Sequence, residues 1–295
     1  MNIDTFLIII EQCLIHIPLL LGAYITISLM KLPDLSIESA YVSGAIIGAY
    51  MIVATSALPI TIQLPLIMVA SLGGGALVGM TSSMLTQYAG LPHLLSSIIT
   101  FGIFYGINQL IAGSYISLSA YNNPLIIESI DRHPEFIVFL VIAIVVSLLM
   151  YIFLKKQIGF ACAIYGDNPY FFHHYGISVP YVFITGVVVS NALAGLSGYL
   201  FAQSNGFADI GMGFGKALLC ITALILGKVI MRPKRPIVIA MPLIGCCAYF
   251  ALQQALLKIG FNLKYFTTIQ AVVTLFILMS MYRNHIKQRI DHLGV

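Results

Sequence analysis

The residues of this chain with the most obvious chemical potential are two glycine–lysine pairs, Gly215-Lys216 and Gly227-Lys228, and seven histidines. A phosphate-binding loop that ends in Gly-Lys also needs a glycine five positions before its last glycine and a serine or threonine after the lysine. Both pairs lack the earlier glycine, and Ala217 and Val229 stand where the hydroxyl should be. We therefore do not expect this chain to hydrolyse ATP itself.

Hydrolytic and metal chemistry also lack the residues that they require. A serine hydrolase needs a base within reach of its nucleophile, yet neither His16 nor His93, the histidines in or near apolar segments, accompanies a Gly-x-Ser-x-Gly motif. The five cysteines contain no Cys-x-x-Cys pair and are typical of small packing residues. We predict that the chain is not an enzyme and that it binds neither a metal nor a cofactor of its own.

Polar residues inside apolar segments are the remaining candidates for function. Ionisable groups within a membrane are functional candidates by default, and only Glu11 lies clearly inside such a segment, although it could instead reach the outer interface. Four amides are hypothesised to line a solute pathway, with bonding to a neighbouring helix as the alternative. They are Asn108, Gln109, Asn191 and Gln203.

The elements that carry these residues are strongly hydrophobic. Apolar residues make up 60% of the 295 residues and charged residues only 8%, against about 45–50% and about 25% in a typical soluble domain. No Asp, Glu, Lys or Arg occurs between Ser39 and Ile127, although one membrane-spanning helix needs only about 20 apolar residues. The sequence therefore predicts an all-α polytopic membrane protein and excludes soluble and nucleic-acid-binding classes.

Proline, glycine and charged residues divide the chain into nine predicted membrane-spanning helices, within a range of eight to ten. They lie near residues 6–30, 37–56, 59–86, 91–112, 136–154, 180–203, 215–231, 236–257 and 265–282. The fourth and seventh are short enough to be re-entrant. Prolines in or beside the spans predict that several helices are kinked or broken.

The distribution of basic residues predicts the orientation. With the N-terminus outside, ten lysines and arginines fall on the inner side and four on the outer side, as the positive-inside rule requires. The C-terminus and its basic tail, residues 283–295, are then cytoplasmic. Residues 1–295 are interpreted as a single transmembrane domain.

Two weaker patterns concern helix packing. Glycines recur four positions apart, as in Gly44-Gly48, Gly75-Gly79 and Gly102-Gly106, a spacing that favours close packing of helices within the chain over a seam between two chains. The segments Asp34–Ile37 and Asp209–Met212 resemble each other and open predicted spans on opposite faces. An inverted repeat would produce this pattern, and so would chance.

The segment of residues 159–177 follows Lys155-Lys156 on the predicted inner side. Asn168 is a strong helix N-cap, Pro169 suits the first helical position, and Gly176 suits the left-handed residue that ends a helix. The segment thus predicts a short cytoplasmic helix, Pro169–Tyr175. Its aromatic residues indicate either a helix on lipid headgroups or a docking helix for another protein; they are Tyr170, Phe171, Phe172 and Tyr175.

These residues also reach a known family. The stretch Gly166–Pro169, the pair Tyr175-Gly176, the run Ser190–Gly198 and the later Gln203 and Gly206–Asp209 together resemble the permease subunits of ABC importers of the branched-chain amino-acid/ribose type. Within that family the chain is most similar to the amino-acid branch, often for tryptophan or tyrosine. The resemblance covers most of the chain, and its specific part is about residues 159–227.

The resemblance implies a bacterial inner-membrane permease that works with ABC ATPase subunits carrying ATP and Mg²⁺, an external solute-binding protein and a second permease copy, probable partner choice being a homodimer. It implies that the ATPase contacts the coupling residues Gly166, Asp167, Asn168, Pro169, Phe171, Phe172, His173, His174, Tyr175 and Gly176. The aromatic and histidine residues there, and Lys228, depart from the usual family pattern. A secondary transporter or channel is the alternative function, and a nucleoside or sugar is the alternative solute.

Overall fold

The structure is a computed structural model that describes residues 3–118, 134–174, 176–232, 237–260, 268, 270–272 and 275. Helices dominate these residues, and two three-residue strands pair with each other. The helices are α1 Ile3–Ala23, α2 Ser36–Ala54, α3 Ile60–Gln87, α4 His93–Ala112, α5 Pro134–Lys155, α6 Gln157–Asp167, α7 Val179–Asn205, α8 Lys216–Met231 and α9 Ala240–Lys258. The strands are β1 Tyr115–Ser117 and β2 Phe207–Asp209.

Eight helices within the described residues are long and apolar enough to cross a membrane. They coincide with the first eight predicted spans, and the largest difference is at the seventh, which extends from Ile210 to Met231 rather than from residue 215. The all-α polytopic prediction is therefore confirmed. The ninth predicted span, near 265–282, and the basic tail at 283–295 lie mostly or wholly outside the described residues.

Glycines bring α2, α3 and α7 into close contact at the centre of the protein. A Cβ atom built on Gly44 of α2 would overlap the backbone of Gly195 of α7, and one on Gly75 of α3 would overlap the backbone of Asn191. Such approach is possible only without side chains, and it provides the van der Waals packing that holds helices together in lipid. The prediction of packing within the chain is confirmed for these glycines. Gly102 and Gly106 of α4, in contrast, have open space beside them.

Proline affects the helices less than the sequence suggested. α3 continues through Pro65, and α1 continues through Pro18. α1 then passes into a π-helical stretch, Tyr24–Leu29, in which Met30 N–H donates to the Ile25 carbonyl at 2.8 Å. A π-helical turn accommodates one extra residue per turn, and here it lies where α1 meets the cytoplasmic segment.

The chain re-enters the protein between α7 and α8. Gly206 ends α7 at φ +75°, β2 pairs antiparallel with β1, and a 3-10 turn, Ile210–Gly213, leads to α8. The 16 residues of α8 span about 24 Å at 1.5 Å per residue, less than the roughly 30 Å of hydrocarbon. Phe214, just before α8, packs on Phe101, the ninth residue of α4, with ring centroids 5.9 Å apart. α8 therefore begins inside the membrane layer.

The two aspartate segments noted in the sequence share a local geometry. Asp34 Oδ1 accepts a hydrogen bond from Ser36 N–H at 2.9 Å, and Asp209 Oδ1 accepts one from Gly211 N–H at 2.5 Å. Each aspartate thus orders the backbone two residues further on, at the start of a span. The two starts also meet, because a Cβ on Gly213 would overlap the Glu38 carbonyl. This arrangement supports the inverted-repeat interpretation at these two positions.

Candidate functional site

The cytoplasmic segment contains two helical pieces. The expected short helix is a 3-10 helix, Pro169–His174, and Asn168 Oδ1 accepts a hydrogen bond from Tyr170 N–H at 3.0 Å, as a capping residue should. Gly176 adopts φ +67°, the left-handed conformation that its type predicted. Tyr175 lies outside the described residues, so the expected end of the helix there stays a prediction.

Sequence reasoning missed the second piece, α6, which precedes the 3-10 helix. Its buried residues are small, namely Gly159, Ala161 and Cys162, and a Cβ on Gly166 would overlap the Leu29 carbonyl at the end of the π-helical stretch. Burial raises the pKa of the Cys162 thiol to about 12, so this cysteine is a neutral packing residue. The spacing of Gly159, Cys162 and Gly166 on one helical face is the signal that could have revealed α6.

The aromatic residues of the 3-10 helix divide into two groups. Tyr170 is 74% exposed and Phe171 39% exposed, whereas Phe172 is 1% exposed and packs in the core. The sequence treated Phe171 and Phe172 alike as coupling residues. The structure separates them, since Phe172 anchors the segment to the permease and only Tyr170 and Phe171 present their rings outward.

Two connections join this segment to the rest of the protein. At the surface, Lys31 Nζ lies 2.6 Å from Asp167 Oδ1, and both side chains are well exposed, so this ion pair contributes at most about 1 kcal/mol. Inside, Tyr165 of α6 packs on Phe183 of α7 with ring centroids 5.6 Å apart, and Phe183 packs on His93 of α4 at 5.2 Å. An aromatic path therefore leads from α6 to the start of α4.

The path ends at a buried polar cluster around Asp34. Ser36 Oγ donates to Asp34 Oδ1 at 2.5 Å, and Asn191 Nδ2 donates to Asp34 Oδ2 at 3.1 Å. His93 Nε2 lies 3.8 Å from Asp34 Oδ1, within ion-pair range, while its Nδ1 lies 3.2 Å from Thr86 Oγ1. The cluster joins α2, α3, α4 and α7, so a displacement of any one of these helices must break or rearrange its hydrogen bonds.

A second cluster lies at the start of α8 and corrects a prediction. Glu38 Oε1 accepts hydrogen bonds from Gly215 N–H at 3.0 Å and Ala217 N–H at 3.3 Å, and Lys216 Nζ lies 3.0 Å from His16 Nε2. The expectation that only Glu11 is clearly ionisable within the apolar segments is therefore wrong, as is the placement of Lys216 outside. Because α8 begins inside the membrane layer, its free N–H groups and positive end are satisfied there by the Glu38 carboxylate.

The Lys216 ammonium is further stabilised by aromatic faces. It lies 4.3 Å from the ring centroid of Phe201 and 4.7 Å from that of Tyr41, distances at which a cation is attracted to the ring. Sequence reasoning could not find this cluster, because Glu38, His16 and Lys216 come from three separate helices.

The four predicted pathway amides are not brought together. Asn191 is fully buried, and its amide is occupied by Asp34, Ser36 and the Val187 carbonyl. Gln203 is buried, and its Nε2 donates to Tyr199 Oη at 3.3 Å. For these two residues a pathway role stays a prediction.

Asn108 and Gln109 lie at the outer half of α4. Asn108 Nδ2 donates to Ser43 Oγ at 3.0 Å and lines a narrow cleft, while Gln109 is exposed. The cleft is otherwise lined by Ser39, Val42, Phe101, Tyr105, Ile210, Gly213 and Phe214. Among the described residues, no group of three or more His, Cys, Asp or Glu side chains could hold a metal ion.

Comparison with known proteins places these features in a family. The chain is 30% identical to a tyrosine transport system permease protein of Clostridioides difficile, over 76% of this chain and 73% of that protein. It is 31% identical to an uncharacterized protein of Rickettsia prowazekii, over 74% and 75% of the two chains. It is 25% identical to the autoinducer 2 import system permease protein LsrC of Escherichia coli, over 78% of this chain and 65% of that one. No solved structure matches the chain significantly.

Residues 7–278 match the model of the family described as "Branched-chain amino acid transport system / permease component". That match covers nearly all of the eight described spans and the cytoplasmic segment. The resemblance inferred from the sequence is therefore confirmed. The chain is a multi-pass permease of the bacterial inner membrane and belongs to the branched-chain amino acid transport system permease family.

Proposed function

We propose that this permease is the membrane subunit of an ATP-driven importer and that its ATPase partner docks on α6 and the 3-10 helix Pro169–His174. The observation that carries this proposal is the pair of outward-facing aromatic rings, Tyr170 and Phe171, beside the buried Phe172. Exposed aromatic surface on a water-facing segment is costly unless a partner or lipid covers it. An external solute-binding protein and a second permease copy complete the proposed complex.

The internal contacts of the segment support its role in coupling. A movement of the segment would act on the end of α1 through Gly166 and on α4 through the path from Tyr165 to His93. Both routes reach the Asp34 cluster, whose hydrogen bonds join four membrane helices. ATP binding in the partner would thereby favour one of two arrangements of these helices, which is what alternating access requires.

An amino acid is the proposed solute. The tyrosine permease relative supports this choice, and the similarity to an autoinducer 2 permease keeps a sugar-like solute or nucleoside as the alternative. Asn108 and Gln109 are proposed to line the pathway near the cleft. The rings of Phe101, Tyr105 and Phe214 there have centroids 5.9–6.4 Å apart, a surface that suits an aromatic side chain.

Co-purification tests the importer proposal. We expect the permease to co-purify with an ABC ATPase and uptake to cease when ATP is depleted while ion gradients are maintained. The buried carboxylates of Asp34 and Glu38 are groups that an ion-coupled secondary transporter could use. Uptake that survives ATP depletion, with no associated ATPase, would establish that alternative instead.

Truncation of the outward-facing rings should uncouple the ATPase. We expect Tyr170→Ala and Phe171→Ala each to weaken ATPase association at least tenfold, since an interface aromatic at a hot spot contributes about 2 kcal/mol or more. The measurement is ATPase retention and solute-stimulated ATP hydrolysis in reconstituted vesicles. Tyr50→Ala, which removes a 59% exposed ring from the far end of α2, is the matched control and should change neither.

A lipid-facing role for the same rings predicts a different pattern. Phe171→Leu would then be harmless, because leucine partitions into the interface as well, whereas a docking pocket shaped for a ring should reject it. A cysteine introduced by Tyr170→Cys should cross-link to the ATPase in the assembled complex. Continued transport with no such cross-link would contradict docking.

The proposed orientation puts this segment in the cytoplasm and the β1–β2 hairpin outside. In a cysteine-free background, we expect Phe207→Cys on the hairpin to react with a membrane-impermeant maleimide in intact cells. Tyr170→Cys should react only after the membrane is permeabilised, because its side chain is exposed on the inner face. The reverse labelling pattern would show that the orientation is inverted.

A further inference from the structure

An apolar groove separates α5 from α3 and α7. Its volume is about 330 Å³, and every residue that lines it is hydrophobic. The lining residues are Leu72 of α3, Val146, Leu149, Met150 and Phe153 of α5, and Val189, Leu193 and Leu196 of α7. α5 packs instead against α1 and α6, while α3 packs closely against α7, and the groove is the space that this arrangement leaves open.

The groove lies in one half of the membrane. From Val146 to Phe153 it follows α5 for about 10 Å, at 1.5 Å per residue. Phe153 is close to the end of α5 at Lys155, which the proposed orientation places at the cytoplasmic surface. The length of the groove is thus comparable with one leaflet of a hydrocarbon layer about 30 Å thick. An acyl chain of that leaflet has the chemistry and the dimensions to occupy it.

A positive charge stands at the inner end of the groove. Lys156 N–H donates to the Phe153 carbonyl at 3.1 Å, and the Lys156 side chain is exposed. Lys155, by contrast, places its ammonium 4.3 Å from the ring centroid of Tyr151. At 100° per residue, Tyr151 and Lys155 lie on the side of α5 opposite Met150 and Phe153. Lys156 is therefore the cation at the mouth of the groove, and Lys155 is a natural comparison.

Other occupants fit less well. The chain after α9 runs first against α9 itself, because Tyr249 Oη donates to Gln270 Oε1 at 2.9 Å. A helix of a second permease copy would need small residues to approach closely, and the groove is lined by large or branched side chains. The anionic lipids of a cytoplasmic leaflet, in contrast, are attracted to basic residues at the membrane surface.

We propose that this groove binds an acyl chain of an anionic phospholipid from the cytoplasmic leaflet, with the lipid phosphate held at Lys156. The bound lipid fills the space between α5 and the α3–α7 pair. It thereby supports α5, whose cytoplasmic end leads directly into α6 and the coupling segment. The proposal depends on the orientation above, which the cysteine labelling tests separately.

Native mass spectrometry of the intact permease, purified in mild detergent and titrated with phosphatidylglycerol or phosphatidylcholine, tests the site. We expect the wild-type protein to retain phosphatidylglycerol preferentially. Lys156→Gln should lower that retention about fivefold, the effect of one lysine at a charged surface, and Lys155→Gln should have little effect. Val189→Phe, which fills the groove, should displace both lipids, whereas Leu148→Phe on an exposed face outside the groove should not.

Three results would overturn the proposal. Equal retention of the two lipids by the wild-type protein would remove the preference for anionic headgroups. Equal effects of Lys155→Gln and Lys156→Gln would show general surface attraction rather than a site. A photo-reactive residue at position 193 that cross-links to a second permease copy, and not to lipid, would assign the groove to a protein interface.

Discussion

Gly198→Val is expected to prevent this permease from reaching a stable folded state. A Cβ atom on Gly198 of α7 would overlap the carbonyl oxygen of Tyr41 in α2, a backbone atom that cannot move aside without separating the two helices. Overpacking costs about 1–3 kcal/mol where side chains can adjust, and here only the helices can. We therefore expect a loss of about 3 kcal/mol or more, which corresponds to a fall in Tm of about 6–12 °C.

Thermal unfolding in detergent, followed by size-exclusion chromatography, measures this effect. Gly73→Val is the matched control, since it makes the same change in a membrane helix at a site with open space beside the glycine. The control should retain a nearly wild-type Tm. Similar losses for both variants would mean that helix propensity, and not the contact between α2 and α7, determines the cost.

Asp34→Ala should have the second largest effect. The Asp34 carboxylate accepts hydrogen bonds from Ser36 N–H, Ser36 Oγ and Asn191 Nδ2, and it lies within ion-pair range of His93. Removing it leaves those donors buried without their acceptor. Loss of one partner from a buried charged network costs about 3–5 kcal/mol, and we expect a corresponding loss of thermal stability and of transport.

Asp209→Ala provides an internal comparison for that prediction. Asp209 forms the equivalent backbone hydrogen bond at the opposite opening, with Gly211 N–H, but its surroundings are exposed. The loss of such a local cap costs about 1 kcal/mol. If Asp34→Ala were no more harmful than Asp209→Ala, the Asp34 cluster would not be a joint between helices, and the proposed coupling path would lose its inner end.

Together these predictions describe a rigid centre and a movable periphery. α2, α3 and α7 pack through glycines that leave no room for adjustment, while the exposed Lys31–Asp167 pair and the aromatic contacts of α6 can rearrange at lower cost. Movement of the coupling segment would then reorient whole helices around the central group. This division is consistent with rigid-body alternating access.

Composition and local pattern determined much of this protein. The scarcity of charge over long blocks is sufficient to predict eight of the described spans, because hydrocarbon accepts only long apolar helices with internally satisfied backbones. The ends of the coupling segment were also predictable, since an Asn cap and a left-handed glycine act within a few residues. Asn168 and Gly176 both have the conformations that their types imply.

Only the tertiary structure decided where the polar groups are satisfied. Glu38 binds the start of α8 from 177 residues away, and Lys216 meets His16 across 200 residues. No local pattern encodes such pairs, because burial of a charge becomes tolerable only when packing brings its partner within hydrogen-bond distance. The same holds for Phe171 and Phe172, adjacent residues of one type. Their local sequence is alike, and only the packing of α6 and the 3-10 helix against the membrane helices buries one ring and exposes the other.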